Sequence, residues 1–150
     1  NISRVMSLRD GTKKMSKSED SDYSRINIKD NSDEIIKKIK KAKTDSLPIS
    51  EDIKEMEKRP EALNLINIFS DLKNKDLKKT LTDFSGKDFS YFKKELSEVI
   101  IDIICPIGKE MTKMNNDRKY LQEILKKGSE KASIKAEENL KKIREIVGLL

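Results

Sequence analysis

The 150 residues carry 33 Lys and Arg against 27 Asp and Glu, a net charge of +6, with 40% charged and 35% hydrophobic residues. Charge well above the usual share of about 25%, with only five Gly and three Pro, argues against a β-sandwich and for amphipathic helices whose outer faces absorb Lys and Glu. No His is present and Cys105 is the single cysteine, which excludes His-based acid–base chemistry, His-containing triads, zinc clusters and an internal disulfide.

The chain opens Asn1-Ile2-Ser3-Arg4, with no Met and no signal-peptide character, and reads as a segment of something longer. Val5 to Leu8 has the look of a strand end. Asp10-Gly11 marks a turn, and Lys13 to Ser21, without periodicity, reads as an exposed loop. Asn31 is a helix N-cap with Glu34 placed to reach back; Ile35, Ile36, Ile39 and Ala42 form one face of that helix, and Lys37, Lys38, Lys40, Lys41 and Lys43 surround it. Residues 45–58 read as a polar connection with a short turn near Pro48.

Arg59-Pro60 opens the next helix, with proline in its first turn. Leu63, Leu65, Ile66, Ile68, Phe69 and Leu72 make it apolar nearly all round, so it should be buried. A short amphipathic piece follows over 75–83, ending before Ser85-Gly86. From Phe89 through Phe92, Leu96, Val99, Ile100, Ile103, Ile104, Ile107, Met111 and Met114, apolar residues step by three and four. That is one long helix, with a kink expected at Pro106 and Cys105 expected as a buried thiol. Asp117 caps a last helix whose expected buried stripe runs from Leu121 through Ile124, Leu125, Gly128, Ala132, Ala136, Leu140 and Ile143 to Val147. Small residues in its middle would admit a close neighbour. No apolar stretch approaches the ~20 residues of a membrane helix; the longest run, Val99 to Cys105, is broken by Asp102.

The excess of positive charge favours a polyanion partner such as nucleic acid. A lysine-heavy composition rich in Ile and Asn is also what an AT-rich genome produces. More informative is Lys14-Met15-Ser16-Lys17-Ser18, where two lysines flank a small hydroxyl residue in a loop beside a Gly turn. Such a loop can fold over a polyphosphate, its ammonium groups balancing charge on the α-phosphate and on departing pyrophosphate. Its hydroxyls and N–H groups can hold phosphate oxygens. A solvated lysine loop in a lysine-rich chain is the plain alternative.

The pentapeptide resembles the second signature (KMSKS) of the class I aminoacyl-tRNA synthetases, and the run Arg4 to Ser18 resembles the tryptophanyl-tRNA synthetases in particular. Lys37 to Asp45, Arg59 to Phe69, Phe92 to Ile107 and Gly128 to Ala132 resemble successive helices of that family in order and spacing, so the likeness covers essentially the whole chain. The resemblance implies a mainly α fold, a helical bundle preceded by the last strand and the KMSKS loop of a class I Rossmann-type catalytic domain whose remainder is not in this segment. It divides the chain into 1–24, the end of the nucleotide-binding domain; 25–115, a helical tRNA-facing domain; and 116–150, a terminal helix packing back on the catalytic domain.

What it implies for chemistry is activation of L-tryptophan with Mg-ATP and transfer to the tRNA for tryptophan, in the cytoplasm and in a homodimer. Lys14 and Lys17 would be catalytic. Val5, Lys14, Met15, Ser16, Lys17 and Ser18 would contact ATP, Val5 by its backbone at the adenine, and no side chain here would hold a metal. The family's first signature contains His and lies upstream, so the isolated chain is expected to be inactive. The rival readings are a stand-alone helical RNA-binding module without catalysis, a structural bundle that binds a protein, and, more weakly, a membrane-surface helix.

Overall fold

Helix signals written into the sequence dominate the architecture. In a computed structural model, which describes residues 4–149, a 3-10 turn at Asp22–Ser24 precedes six α-helices: α1 (Ser32–Lys41), α2 (Ile53–Glu57), α3 (Pro60–Leu72), α4 (Leu77–Phe84), α5 (Phe89–Asn116) and α6 (Arg118–Ile146). α1 starts on a reciprocal cap: Glu34 N–H donates to Asn31 Oδ1 at 3.0 Å and Asn31 N–H to Glu34 Oε2 at 2.8 Å. Asp76 caps α4 and Asp117 caps α6 one way only, each carboxylate accepting from a first-turn N–H.

The strand expected at Val5–Leu8 does not form; among the described residues every regular element is helical. A single antiparallel bridge joins Met6 and Lys14. The reason lies in where the backbone bonds go. Met15 N–H donates to Val5 O at 3.0 Å and Ser7 N–H to Lys13 O at 2.8 Å, but Leu8 N–H turns to Ser24 O at 2.8 Å, so no ladder propagates.

The chain divides into two units, Asn1–Lys109 and Glu110–Leu150. In the first, one core gathers Leu8, Ile35, Ile39, Ile49, Met56, Leu65, Ile66, Leu81, Phe92 and Leu96, all essentially sealed from water. Phe84 is its aromatic centre: its ring meets Phe69 at 5.1 Å and Phe92 at 4.9 Å, both edge to face, a favoured geometry for ring quadrupoles. α3 buries Ala62, Leu65, Ile66 and Phe69, while Leu63, Ile68 and Leu72 are half-buried.

Within the expected polar connection the chain builds α2. Asp52 accepts from Lys54 N–H at 2.9 Å, and Met56 plugs into the core. Arg59 fastens the same segment, donating to Asp45 through Nε (2.8 Å) and Nη2 (2.6 Å) and to the carbonyls of Leu47 and Pro48.

α5 runs on as one helix through Pro106. Its burial fades along its length: Val99 and Ile100 are buried, Cys105 is half-buried rather than sealed, and Ile107 and Met114 are exposed. In α6 the expected buried stripe is not buried. No residue of the helix is, and Ile124, Leu125, Leu140 and Ile143 lie open. A Cβ added at Gly128 would meet nothing within 4 Å. Among the described residues, no helix is long and apolar enough to cross a membrane.

Candidate functional site

The lysine loop is held at its base and free at its tip. Gly11, at the turn, lies against the start of α3 so closely that a Cβ there would stand 2.6 Å from Pro60 O and closer still to Glu61 N. Asp10 braces the turn by accepting from Thr12 N–H at 3.0 Å and Thr12 Oγ1 at 2.6 Å. Those bonds, the Thr12 hydroxyl first, hold the Asp10 carboxyl below its usual pKa. Lys13 pairs with Asp10 at 3.4 Å.

The strand-like segment beneath the loop is bound to two helices. Arg9 donates to Lys41 O at 2.6 Å and Lys43 N–H to Leu8 O at 2.8 Å, both at the end of α1. On the α3 side, the Asn64 carboxamide is 5% exposed and meets both backbone groups of Met6: Met6 N–H donates to Oδ1 at 3.0 Å, and Nδ2 donates to Met6 O at 3.0 Å.

After the loop the chain is fastened again. Arg25 donates to Glu19 O at 2.8 Å and pairs with Asp22 at 3.1 Å. Lys38 lies 2.6 Å from both Asp22 and Asp30, with its side chain 5% exposed and that of Asp30 7% exposed. Burial alone would push the Lys38 pKa down, but the hydrogen bonds from its ammonium to Asp22 and Asp30 outweigh it and the pKa is raised. Lys38 is therefore a buried structural cation. This sets it apart from the other lysines that surround the apolar face of α1. Lys43 is likewise engaged, with Glu61 at 2.7 Å, and Lys41 stands over the Tyr23 ring at 4.2 Å. Lys37 and Lys40 remain exposed.

Between these anchors the loop presents Lys14 and Lys17, both exposed and neither paired with a carboxylate among the described residues. Met15, between them in sequence, is half-buried and packs against the core. The hydroxyls of Ser16 and Ser18 lie 2.9 Å apart, and Ser18 N–H donates to Ser16 Oγ at 3.3 Å, closing the turn that carries Lys17. Val5, 39% exposed, offers its carbonyl to Met15 N–H, so its backbone belongs to the base of the loop. All six residues expected at the site thus lie in or beside this one loop. Among the described residues no group of three His, Cys, Asp or Glu is placed to hold a metal ion.

Sequence reasoning missed Asn64, Gly11's seat and the Lys38 cluster as parts of the support. Asn64 carried one readable signal: an amide inside an apolar helix needs buried partners.

Comparison with known proteins gives the family. A family model described as tRNA synthetases class I (W and Y) matches residues 2–104. A protein of Mesorhizobium japonicum named tryptophan–tRNA ligase is 45% identical over 147 residues, covering 98% of this chain and 41% of that protein. Its counterpart in Rickettsia felis is 47% identical over 147 residues, covering 98% and 44%. The chain therefore spans about two fifths of the length of the relatives it matches. A crystal structure titled tryptophanyl-tRNA synthetase from Mycoplasma pneumoniae superposes with a TM-score of 0.78 at 24% identity, over 95% of this chain and 42% of that one, a likeness of fold. With the family matched over most of its length and its lysine loop exposed on a helical base, the chain belongs to the class I tRNA synthetases of the tryptophan and tyrosine (W and Y) group.

Proposed function

We propose that this chain is the carboxy-terminal part of a cytoplasmic tryptophan–tRNA ligase and that its exposed loop grips the phosphates of ATP. The observation that carries the proposal is the pair of exposed ammonium groups, Lys14 and Lys17, without a carboxylate partner among the described residues, on a loop fixed at both ends. The relatives named tryptophan–tRNA ligase supply the substrate.

In the reaction, a tryptophan carboxylate oxygen attacks the α-phosphorus of ATP. The bond from that phosphorus to the bridging oxygen breaks, and pyrophosphate leaves with the electron pair. Lys14 and Lys17 lie over the β- and γ-phosphates and take up the negative charge that grows there, so they bind the transition state more tightly than the ground state. Magnesium arrives with ATP as part of the substrate. The backbone at Val5 meets the adenine, and Ser16 and Ser18 shape the closed loop. In the second step the terminal adenosine 2′-hydroxyl of the tRNA attacks the tryptophanyl carbonyl and AMP departs.

Residues 25–115 face the tRNA, with exposed Lys37 and Lys40 positioning its backbone rather than reading bases. Residues 116–150 pack back on the catalytic domain, which supplies the cover for the open apolar stripe of α6. The tryptophan pocket, the remaining ATP contacts and the dimer contacts belong to the part of the enzyme that the relatives carry and this chain does not span.

The lone chain is accordingly inactive, because a phosphate lid without the other contacts cannot bring the reactants together. Tryptophan-dependent ATP–pyrophosphate exchange by the purified chain should equal that of a Lys14→Ala, Lys17→Ala control. Turnover clearly above that control would overturn the reading. Salt-sensitive binding of any RNA without preference for the tryptophan tRNA would favour a simple RNA-binding module instead.

A further inference from the structure

Met6 stands opposite Lys14 in the only antiparallel bridge among the described residues. On its Lys14 side the pair is flanked by backbone bonds, from Met15 N–H to Val5 O and from Ser7 N–H to Lys13 O. Met6's own N–H and C=O are not used in those bonds. In a sheet they would go to a neighbouring strand; here a single side chain takes both. Asn64 Oδ1 accepts from Met6 N–H at 3.0 Å, while Nδ2 donates to Met6 O at 3.0 Å and reaches Ser7 O at 3.5 Å. A carboxamide has the same donor and acceptor as a peptide unit, so it can stand in for the missing strand. Asn64 sits 5% exposed on α3, one turn beyond Pro60 and Glu61, against which Gly11 is packed.

We infer that Asn64 is a positioning residue for phosphate transfer: it fixes Met6, and through the Met6–Lys14 bridge the place of the Lys14 ammonium, by tying the loop to the first turns of α3. This rests on the reading of the loop as the ATP phosphate grip. Asn64 does not touch the nucleotide. Its effect runs through one backbone pair, and removing it frees two half-buried backbone groups of Met6, a member of the bridge. A shift of about 1 Å in a catalytic group can cost about 100-fold in rate.

Two measurements test the inference. In this chain, amide hydrogen exchange at Met6, Ser7 and Met15 should quicken at least tenfold in Asn64→Ala, with Leu96 and Ile100 in α5 unchanged. Asn64→Leu, which carries neither donor nor acceptor and leaves no cavity, serves if the alanine variant does not fold; it should free the same amides. For activity, residues 1–150 replace the matching part of the Mesorhizobium japonicum ligase, and pyrophosphate exchange is followed. The Asn64 variant should lower kcat about tenfold or more with the tryptophan KM within about twofold, since the loop touches phosphates and not the amino acid. In the Lys14→Ala background it should cost little more, within about threefold, because both changes remove one function.

Unchanged exchange at Met6 and Met15 overturns the inference, and so does an Asn64 effect that multiplies fully with that of Lys14→Ala. If Lys14→Ala itself leaves exchange activity intact, the phosphate-grip reading fails first and this inference with it.

Discussion

Gly11→Ala tests the seat of the loop. A Cβ at residue 11 would lie 2.6 Å from Pro60 O, where ordinary contact begins at 3.4 Å, so the loop base and the start of α3 must part by at least 0.8 Å. The obstructing atoms are backbone at a helix start and have no rotamer to yield. Overpacking of this kind costs typically ~1–3 kcal/mol, and a rigid partner puts Gly11→Ala near the upper end. For a chain of this size that lowers Tm by about 5–10 °C. The matched control is Gly128→Ala in α6, where a Cβ meets nothing within 4 Å and alanine improves helix propensity by up to ~1 kcal/mol. Thermal melts followed by far-UV circular dichroism would separate the two. A Gly11→Ala chain melting with the wild type would show that the close approach is not a constraint and would refute the reasoning about the seat.

Three further outcomes are expected. Lys38→Ala leaves Asp30 buried without its cation and should destabilise the first unit by about 3–5 kcal/mol in urea titration, whereas Lys37→Ala on the exposed face should change stability by less than about 0.5 kcal/mol. The carboxyls of Asp45, Glu61 and Asp22 are held below their ordinary pKa values, chiefly by hydrogen bonds from Arg59, Lys43 and Lys38 respectively. Their stabilising share is thus present above the ordinary carboxylate values, 3.8 for Asp and 4.5 for Glu, and is lost as pH falls through the lowered ones. The urea midpoint should drop below about pH 4, and drop less in Asp45→Asn. Lys14→Ala and Lys17→Ala should leave Tm unchanged, since both side chains are exposed and neither is paired with a carboxylate among the described residues; a large loss of stability would mean that these lysines hold the fold.

What was legible in the sequence was local. The Asn31–Glu34 capping box, Pro60 at a helix start, Asp117 as a cap and the three–four stepping from Phe89 each lie within a few residues and were readable as such. α2 was not, because Met56 is the single buried residue of a five-residue helix, too short for a period to show. The expected strand failed because Leu8 N–H finds Ser24 and Met6 finds Asn64, partners that no local pattern predicts. Lys38 looked like its neighbours until Asp22 and Asp30 were folded against it from the preceding segment. In α6 periodicity named the apolar face correctly as a stripe but could not say what covers it. The lysine loop was readable as a loop because it is contiguous, five residues in a row; its supports, Gly11 against Pro60 and Asn64 against Met6, span roughly a third of the chain and became visible only in the fold.

If Lys14 and Lys17 grip phosphates, as proposed, tryptophan-dependent ATP–pyrophosphate exchange will depend on them in the Mesorhizobium japonicum ligase whose matching segment is replaced by residues 1–150. Robust exchange is expected there, lowered about 100-fold or more by Lys14→Ala with Lys17→Ala and with the tryptophan KM preserved. Exchange that survives both substitutions undiminished, in an enzyme that depends on this segment for folding, would contradict the proposal.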